Sequence, residues 1–245
     1  MQAIILAAGI GKRISSSHNT PKILLEFNEK TLLERHISNL HQLGAGRIII
    51  CAGYQQELIH SELKKIGSSD VEIVSNQEFH LGSTISLLKT QPVVSENEDT
   101  LLMDADVLYH PEIINKLARS QHKNCLLIDR EFDEGVEPVK VCIRNQKIVE
   151  FRKKISPKVD YDIIGESVGF FKFSANGLKS IFQKCESFVA DGKEHEPHEE
   201  VIRECIIHDS IKIEVEDISG LPWIEIDFPE DIVRATETVL PQLLI

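Results

Sequence analysis

The sequence is short of positive charge. Its 245 residues carry 39 acidic against 27 basic side chains, a formal net charge of −12 with histidine neutral. A field of that sign repels a phosphodiester backbone, which argues against general nucleic-acid binding. It also requires any anionic substrate to be met by a local cluster of cations. The chain has no run approaching the ~20 apolar residues of a membrane-spanning helix, so no membrane insertion is expected. Its first apolar run stops at Gly9 with Lys12 close behind, and no secretory leader is expected. Five cysteines are present, Cys51, Cys125, Cys142, Cys185 and Cys205, with no CxxC pair among them. An odd number set mostly in apolar runs reads as buried, reduced thiols in a cytoplasmic protein rather than a disulfide framework. The acidic surroundings of His195, His198 and Cys205 lack zinc-type spacing and are expected to form a solvated polar loop. No linker, repeat or low-complexity segment divides the chain, so one domain over residues 1–245 is expected.

What the chain does have is a series of short, β-branched apolar runs bounded by turn residues. They cover residues 3–8, 47–52, 71–75, 100–103, 125–129, 139–143, 168–173 and 211–215. Short continuous runs suit strands buried on both faces. Helical spacing falls between many of them, over 32–40 with Gly44 as the stop, then 58–66, 85–88, 111–118 and 177–189. This alternation predicts an α/β fold: a single doubly wound, mostly parallel, Rossmann-like sheet. Residues 140–151 read as an inserted antiparallel hairpin with Asn145-Gln146 at its tip. A last helix is expected from Pro229, capped by Asp227 or Phe228 and with Glu230 and Asp231 in its first turn.

The strongest local motif is Leu6-Ala-Ala-Gly-Ile-Gly-Lys-Arg13, directly after the first expected strand. Ala7, Ala8, Gly9 and Gly11 let the backbone approach a ligand and turn amides toward phosphate oxygens. Arg13 supplies a cation, and Pro21 stiffens the segment presenting Lys22. The loop is neither GxxxxGK[ST] nor GxGxxG, which removes a Walker site and a plain dinucleotide-binding dehydrogenase. Asp104 and Asp106 stand two apart at a strand end, where open α/β sheets place their ligand crevice. Two carboxylates there call for a cation, and Mg2+ is the hard, oxygen-seeking ion that suits them.

With these motifs in place the chain resembles the sugar-phosphate and alkyl-phosphate nucleotidyltransferases, and the similarity runs through most of its length. LAAGIGKR with Pro21-Lys22 is similar to that family's signature loop, and Leu101–Leu108 (LLMDADVL) to its metal segment. Gly165–Phe171 (GESVGFF) resembles the acceptor-binding strand, and Trp223–Asp227 (WIEID) the late segment that brings a second carboxylate to the metal. MDAD, the VKV hairpin and the WIEID ending are most similar to the phosphocholine cytidylyltransferase branch. That branch includes enzymes acting on 2-aminoethylphosphonate and inositol phosphate.

The resemblance implies a Mg2+-dependent transfer of CMP from CTP to a small alkyl phosphate or phosphonate, with release of pyrophosphate. It implies Asp106 and Asp227 as metal ligands with Asp104 close by. Arg13 would serve the β- and γ-phosphates, and Lys22 the meeting of acceptor and α-phosphate. An acceptor already ionised needs no general base, so His18, His80 and the other histidines are expected at the surface or in hydrogen bonds. The family reads its base at a helix start, here Gly82, Ser83 and Thr84, with Gly53-Tyr54 closing the pocket. Ordinary cap and turn chemistry is the alternative there. Glu166 falls where the family contacts its acceptor. Trp223 and the acidic segment 191–200 would suit an ammonium group, or that segment is an acidic surface loop and helix start. The basic run Arg152-Lys153-Lys154 is expected to be solvated charge, or to touch acceptor phosphate. Two rival functions stay open: a uridylyl- or guanylyltransferase acting on a sugar phosphate or a pterin cofactor, and a regulatory subunit that binds nucleotide without turnover.

Overall fold

A computed structural model describes residues 1–11, 13–14 and 20–243; His18 lies outside the described residues. In chain order the strands are β1 (Gln2–Ala7), β2 (Glu26–Phe27), β3 (Lys30–Thr31), β4 (Arg47–Ala52), β5 (Val71–Ser75), β6 (Thr100–Asp104) and β7 (Val107–Tyr109). They continue with β8 (Cys125–Asp129), β9 (Lys140–Arg144), β10 (Lys147–Arg152), β11 (Ile163–Phe173), β12 (Glu214–Asp217) and β13 (Trp223–Glu225). The helices are α1 (Leu32–Gln42), α2 (Gln56–Lys65), α3 (Ser83–Thr90), α4 (Pro111–Arg119), α5 (Ala175–Ala190), α6 (His198–Ile207), α7 (Pro229–Arg234) and α8 (Leu240–Leu243).

A nine-stranded sheet runs β10-β9-β11-β6-β1-β4-β5, with β8 on the other edge of β11 and β12 beyond it. Pairing is parallel for β1 with β4 and β6, β4 with β5, and β8 with β12. β11 opposes β6, β8 and β9, and β10 opposes β9. Only β10 and β11 therefore run against the other seven strands, giving the expected mostly parallel sheet with an inserted hairpin. That hairpin turns at Asn145 and Gln146, with φ of 49° and 63°, the left-handed pair that matches the twist of a two-residue connection.

Successive side chains on each strand enter opposite layers. Ile5, Ile50, Leu101, Met103 and Phe170 pack with Leu33, Ile37 and Leu40 of α1 and Ile113 and Leu117 of α4. Ile4, Ile49, Leu102, Leu126 and Phe171 pack with Leu178 and Ile181 of α5 and Val201 and Ile202 of α6. α1 starts at Thr31, whose hydroxyl accepts from Glu34 N at 3.1 Å, and stops where Gly44 turns to φ 73°. Phe228 holds the N-cap position of α7, but the capping group is Asp231: its Oδ2 accepts from the amides of Asp227 and Phe228 at 2.9 and 2.7 Å.

Two elements differ from expectation. α6 begins inside the segment read as an acidic loop and helix start, but it takes His198 and Cys205 out of the polar loop expected around them, because Val201, Ile202, Cys205 and Ile206 form a buried stripe behind its acidic first turn. The last strand of the main sheet lies at Glu214–Asp217 rather than 211–215. A small ribbon of β7 and β13 forms beside the main sheet. A third cluster seats it, joining Leu25, Phe27, Leu108, Ile224, Ile226 and Leu240. That cluster ties the start of the chain to its end, and the site is built on it. All five cysteines are free and buried. No helix among the described residues is long and apolar enough to cross a membrane.

Candidate active site

The glycine loop leaves β1 at the carboxyl ends of the parallel strands, where open α/β sheets form their ligand crevice. Gly11 takes φ 63°, and a Cβ there would stand 3.0 Å from Lys22 Cγ. The missing side chain lets the lysine stem lie across the loop. Lys22 opens a 3-10 turn, Lys22–Leu24, after Pro21, and buried Ile23 anchors that turn.

The carboxylates arrive from two distant segments brought together by register. In the β7–β13 ribbon Val107 lies opposite Glu225, and Ile226 N donates to Asp106 O at 2.9 Å. Asp106, just before β7, and Asp227, just after β13, are thereby neighbours. Lys22 Nζ donates to Asp106 Oδ2 at 2.8 Å and to Asp227 Oδ1 at 2.7 Å. Arg13 reaches Asp227 Oδ2 at 3.1 Å and Glu137 Oε2 at 3.3 Å, with its guanidinium 4.9 Å from the centroid of the Phe228 ring.

Burial is the largest influence on the Lys22 ammonium and would lower its pKa, yet Asp106 and Asp227 together reverse this and raise it. The lysine is held charged. Burial likewise pushes the Asp227 carboxyl upward, and Lys22 and Arg13 overcome it to bring the group below its ordinary range. Asp104 and Glu225 are both raised well above theirs. Loss of water is the first cause in each; Glu199 and Asp106 then add repulsion at Asp104, and Asp106 and Asp227 at Glu225. Carboxylates therefore outnumber the cation between them, and the centre is short of positive charge. Asp106, Glu225 and Asp227 can each turn one oxygen to within 4.8 Å of the others. The all-oxygen donor set fits Mg2+, and the Lys22 ammonium between two of the three shows that the position favours a cation.

The cleft around this centre encloses about 1160 Å3, the size of a substantial ligand pocket. Of the residues singled out from sequence, Ala7, Ala8, Gly9, Gly11, Arg13, Lys22, Gly82, Ser83, Asp104 and Asp106 line it together. Lys153 and Lys154 line it as well, with Lys153 Nζ 3.0 Å from Glu137.

Other candidates lie elsewhere. Thr84 is buried and its hydroxyl donates to Glu196 O at 2.6 Å, so it fastens α3 to the segment before α6. Gly53 sits behind Phe79, which does line the cleft, and Tyr54 N donates to Ala8 O at 3.1 Å. Trp223 Nε1 donates to Asp129 Oδ2 at 2.8 Å. Glu166 faces Asp129 across β11 and β8, and burial first, then Asp129, pushes its carboxyl up to about 7. Glu166 and Trp223 thus gather at Asp129 and do not line the cleft with Glu196, Glu199 and Glu200.

Sequence reasoning passed over Glu225 and Glu137; it set His198 in a polar loop and weighed Glu199 only as part of the acidic segment 191–200. Glu225 had a signal, standing two residues before Asp227 and therefore on the same side of an extended segment. His198 is no solvated loop residue: it is 2 % exposed and lines the cleft at the start of α6.

A glycine loop, a clamped lysine and converging carboxylates at the carboxyl ends of a mostly parallel sheet define a phosphate-handling α/β protein. Residues 3–156 match the MobA-like NTP transferase domain model, and the chain belongs to that family. It is 26% identical over 241 residues to the bifunctional IPC transferase and DIPP synthase of Rubrobacter xylanophilus, covering 97% of this chain but only 52% of that protein. The chain thus spans about half the length of that relative. It is 25% identical to the CTP:phosphoglutamine cytidylyltransferase of Campylobacter jejuni, covering 95% of this chain and 98% of the other. Among solved structures, the inositol-1-phosphate CTP transferase from T. maritima superposes with a TM-score of 0.82 at 23% identity, covering 99% and 94% of the two chains. At that identity the likeness speaks for the fold.

Proposed function

We propose that this chain transfers CMP from CTP to a small phosphorylated acceptor and releases pyrophosphate. The observation that carries the reading is the Lys22 ammonium, clamped by Asp106 and Asp227 beside the glycine loop. Relatives whose names specify CTP chemistry on phosphoglutamine and phosphocholine support the choice of base and of acceptor class.

An acceptor oxygen attacks the α-phosphorus in line as the bond to the pyrophosphate oxygen breaks. Both reactants are anionic, so the protein acts by positioning them and offsetting charge. Loop amides at Ala8–Gly11 cradle the phosphates, and Arg13 swings from its carboxylate partners to the β- and γ-groups. Lys22 keeps its proton throughout and neutralises charge where acceptor and α-phosphate meet. Asp106, Glu225 and Asp227 would hold Mg2+, which when bound polarises the α-phosphate and offsets its charge. The acceptor arrives ionised and no side chain removes a proton. Five buried free thiols suit a cytoplasmic setting.

Pyrophosphate release across CTP, UTP, GTP and ATP tests this. The acceptors are phosphocholine, 2-aminoethylphosphonate, inositol 1-phosphate, glycerol 3-phosphate and glucose 1-phosphate, each with Mg2+ and with EDTA. Release with CTP and one acceptor, abolished by EDTA, is expected. Preference for UTP or GTP keeps the mechanism and overturns the cytidylyl assignment; silence in every well with nucleotide bound points to the non-catalytic alternative.

A further inference from the structure

Asp104 has a second set of neighbours that the reaction above does not use. His198 Nε2 lies 3.9 Å from Asp104 Oδ1, beyond hydrogen-bond reach. That ring is 2 % exposed, and its Nε2 has no hydrogen-bond partner among the described residues. The other ring nitrogen, Nδ1, lies 3.1 Å from Ser83 Oγ and 3.1 Å from Glu199 Oε2. With the proton on Nδ1 and donated to Ser83 Oγ, the Nε2 lone pair faces Asp104. This is how metal-holding histidines are oriented. A buried acceptor without a partner is otherwise costly by about 1–3 kcal/mol.

The spacing fits an ion. Two ligand atoms each about 2.1 Å from one metal stand at most about 4.2 Å apart, so 3.9 Å already falls inside that limit. Asp104, His198 and Glu199 can each offer one atom with all three within 4.8 Å. Asp104 has its place because β11 yields at Gly169: a Cβ there would run into Asp104 Oδ2, and the glycine takes φ 77°. One imidazole with two carboxylates is a mixed donor set, better matched to Zn2+ or Mn2+ than to Mg2+.

We propose that Asp104, His198 and Glu199 form a second divalent-cation site in the cleft. It shares no ligand with Asp106, Glu225 and Asp227, and it prefers a borderline first-row ion. Three protein ligands leave coordination positions open toward the cleft, where an oxygen of a bound anion completes the shell. The site stands on its own residues, whatever reaction the cleft performs.

The test counts metal on the full chain. Protein stripped with EDTA is dialysed against Zn2+ in excess Mg2+, bound zinc is measured by plasma mass spectrometry, and affinity by competition with a chromophoric chelator. The wild-type chain retains one Zn2+ under excess Mg2+, and Asp227→Asn retains it equally. His198→Ala and Glu199→Gln each weaken it by about 100-fold, with circular dichroism and melting recorded alongside. Glu199→Gln carries the comparison if His198→Ala does not fold. Absence of zinc on the wild type, unchanged affinity in a folded variant, or loss in Asp227→Asn overturns the proposal. The cysteines do not confuse the count, because all five are buried.

Discussion

Single side chains set the electrostatics of this cleft, and His36 shows how far behind the surface that reaches. It is fully buried beneath the Asp104–Asp106 turn, with Nε2 3.0 Å from Ala105 O. Donation to that carbonyl favours the charged ring, but burial outweighs it and pushes the group down to about 4, from 6.5. Between those values the unfolded chain binds a proton that the native chain does not, so acidification through that window removes stability, about 1.4 kcal/mol per pH unit. Urea unfolding at about pH 7, 6 and 5 is expected to show a shallower decline in His36→Gln than in the wild type. Equal slopes would contradict a neutral buried His36. Nothing in the sequence marked this residue beyond its place in the helical stripe with Leu33, Ile37 and Leu40.

At the scale of elements, the site depends on where strands end and what they leave out. Gly169 is the plainest case. With φ 77° and Asp104 Oδ2 where its Cβ would be, Gly169→Ala adds backbone strain of about 1–3 kcal/mol and displaces Asp104. Its melting temperature is expected to fall by about 3–10 °C; an unchanged melt would mean that β11 accommodates a side chain there. The parallel strands were legible because each is a continuous apolar run. The hairpin was legible because polar residues interrupt two such runs. A helix start was legible in the acidic segment before α6, but the burial of the helix was not, since Val201, Ile202 and Cys205 show a buried face only once they have a sheet to cover. The β7–β13 ribbon escaped too, because two three-residue strands 114 residues apart have no local signature. Its consequence, Asp227 beside Asp106, came from resemblance, and only the ribbon supplies the physical reason.

For the whole molecule, a net charge of −12 is at odds with the anionic substrates of the proposed reaction. The cleft answers this by concentrating Arg13, Lys22, Arg152, Lys153 and Lys154 along its walls and pairing four of them with carboxylates. The exposed pairs contribute little to stability, and in the proposed reaction Arg13 and Lys22 turn from their carboxylates toward phosphate oxygens. The paired Lys22 is the strongest case, being largely withdrawn from solvent, and a structural role alone would make it a buried salt bridge. The central claim is that it serves transfer. The most direct test is the initial rate of pyrophosphate release from CTP and the best acceptor, for the wild type and Lys22→Ala, with melting temperatures alongside. The account predicts a fall of about 10²–10³ in rate with the fold retained. Near-normal turnover in a well-folded Lys22→Ala chain would contradict it.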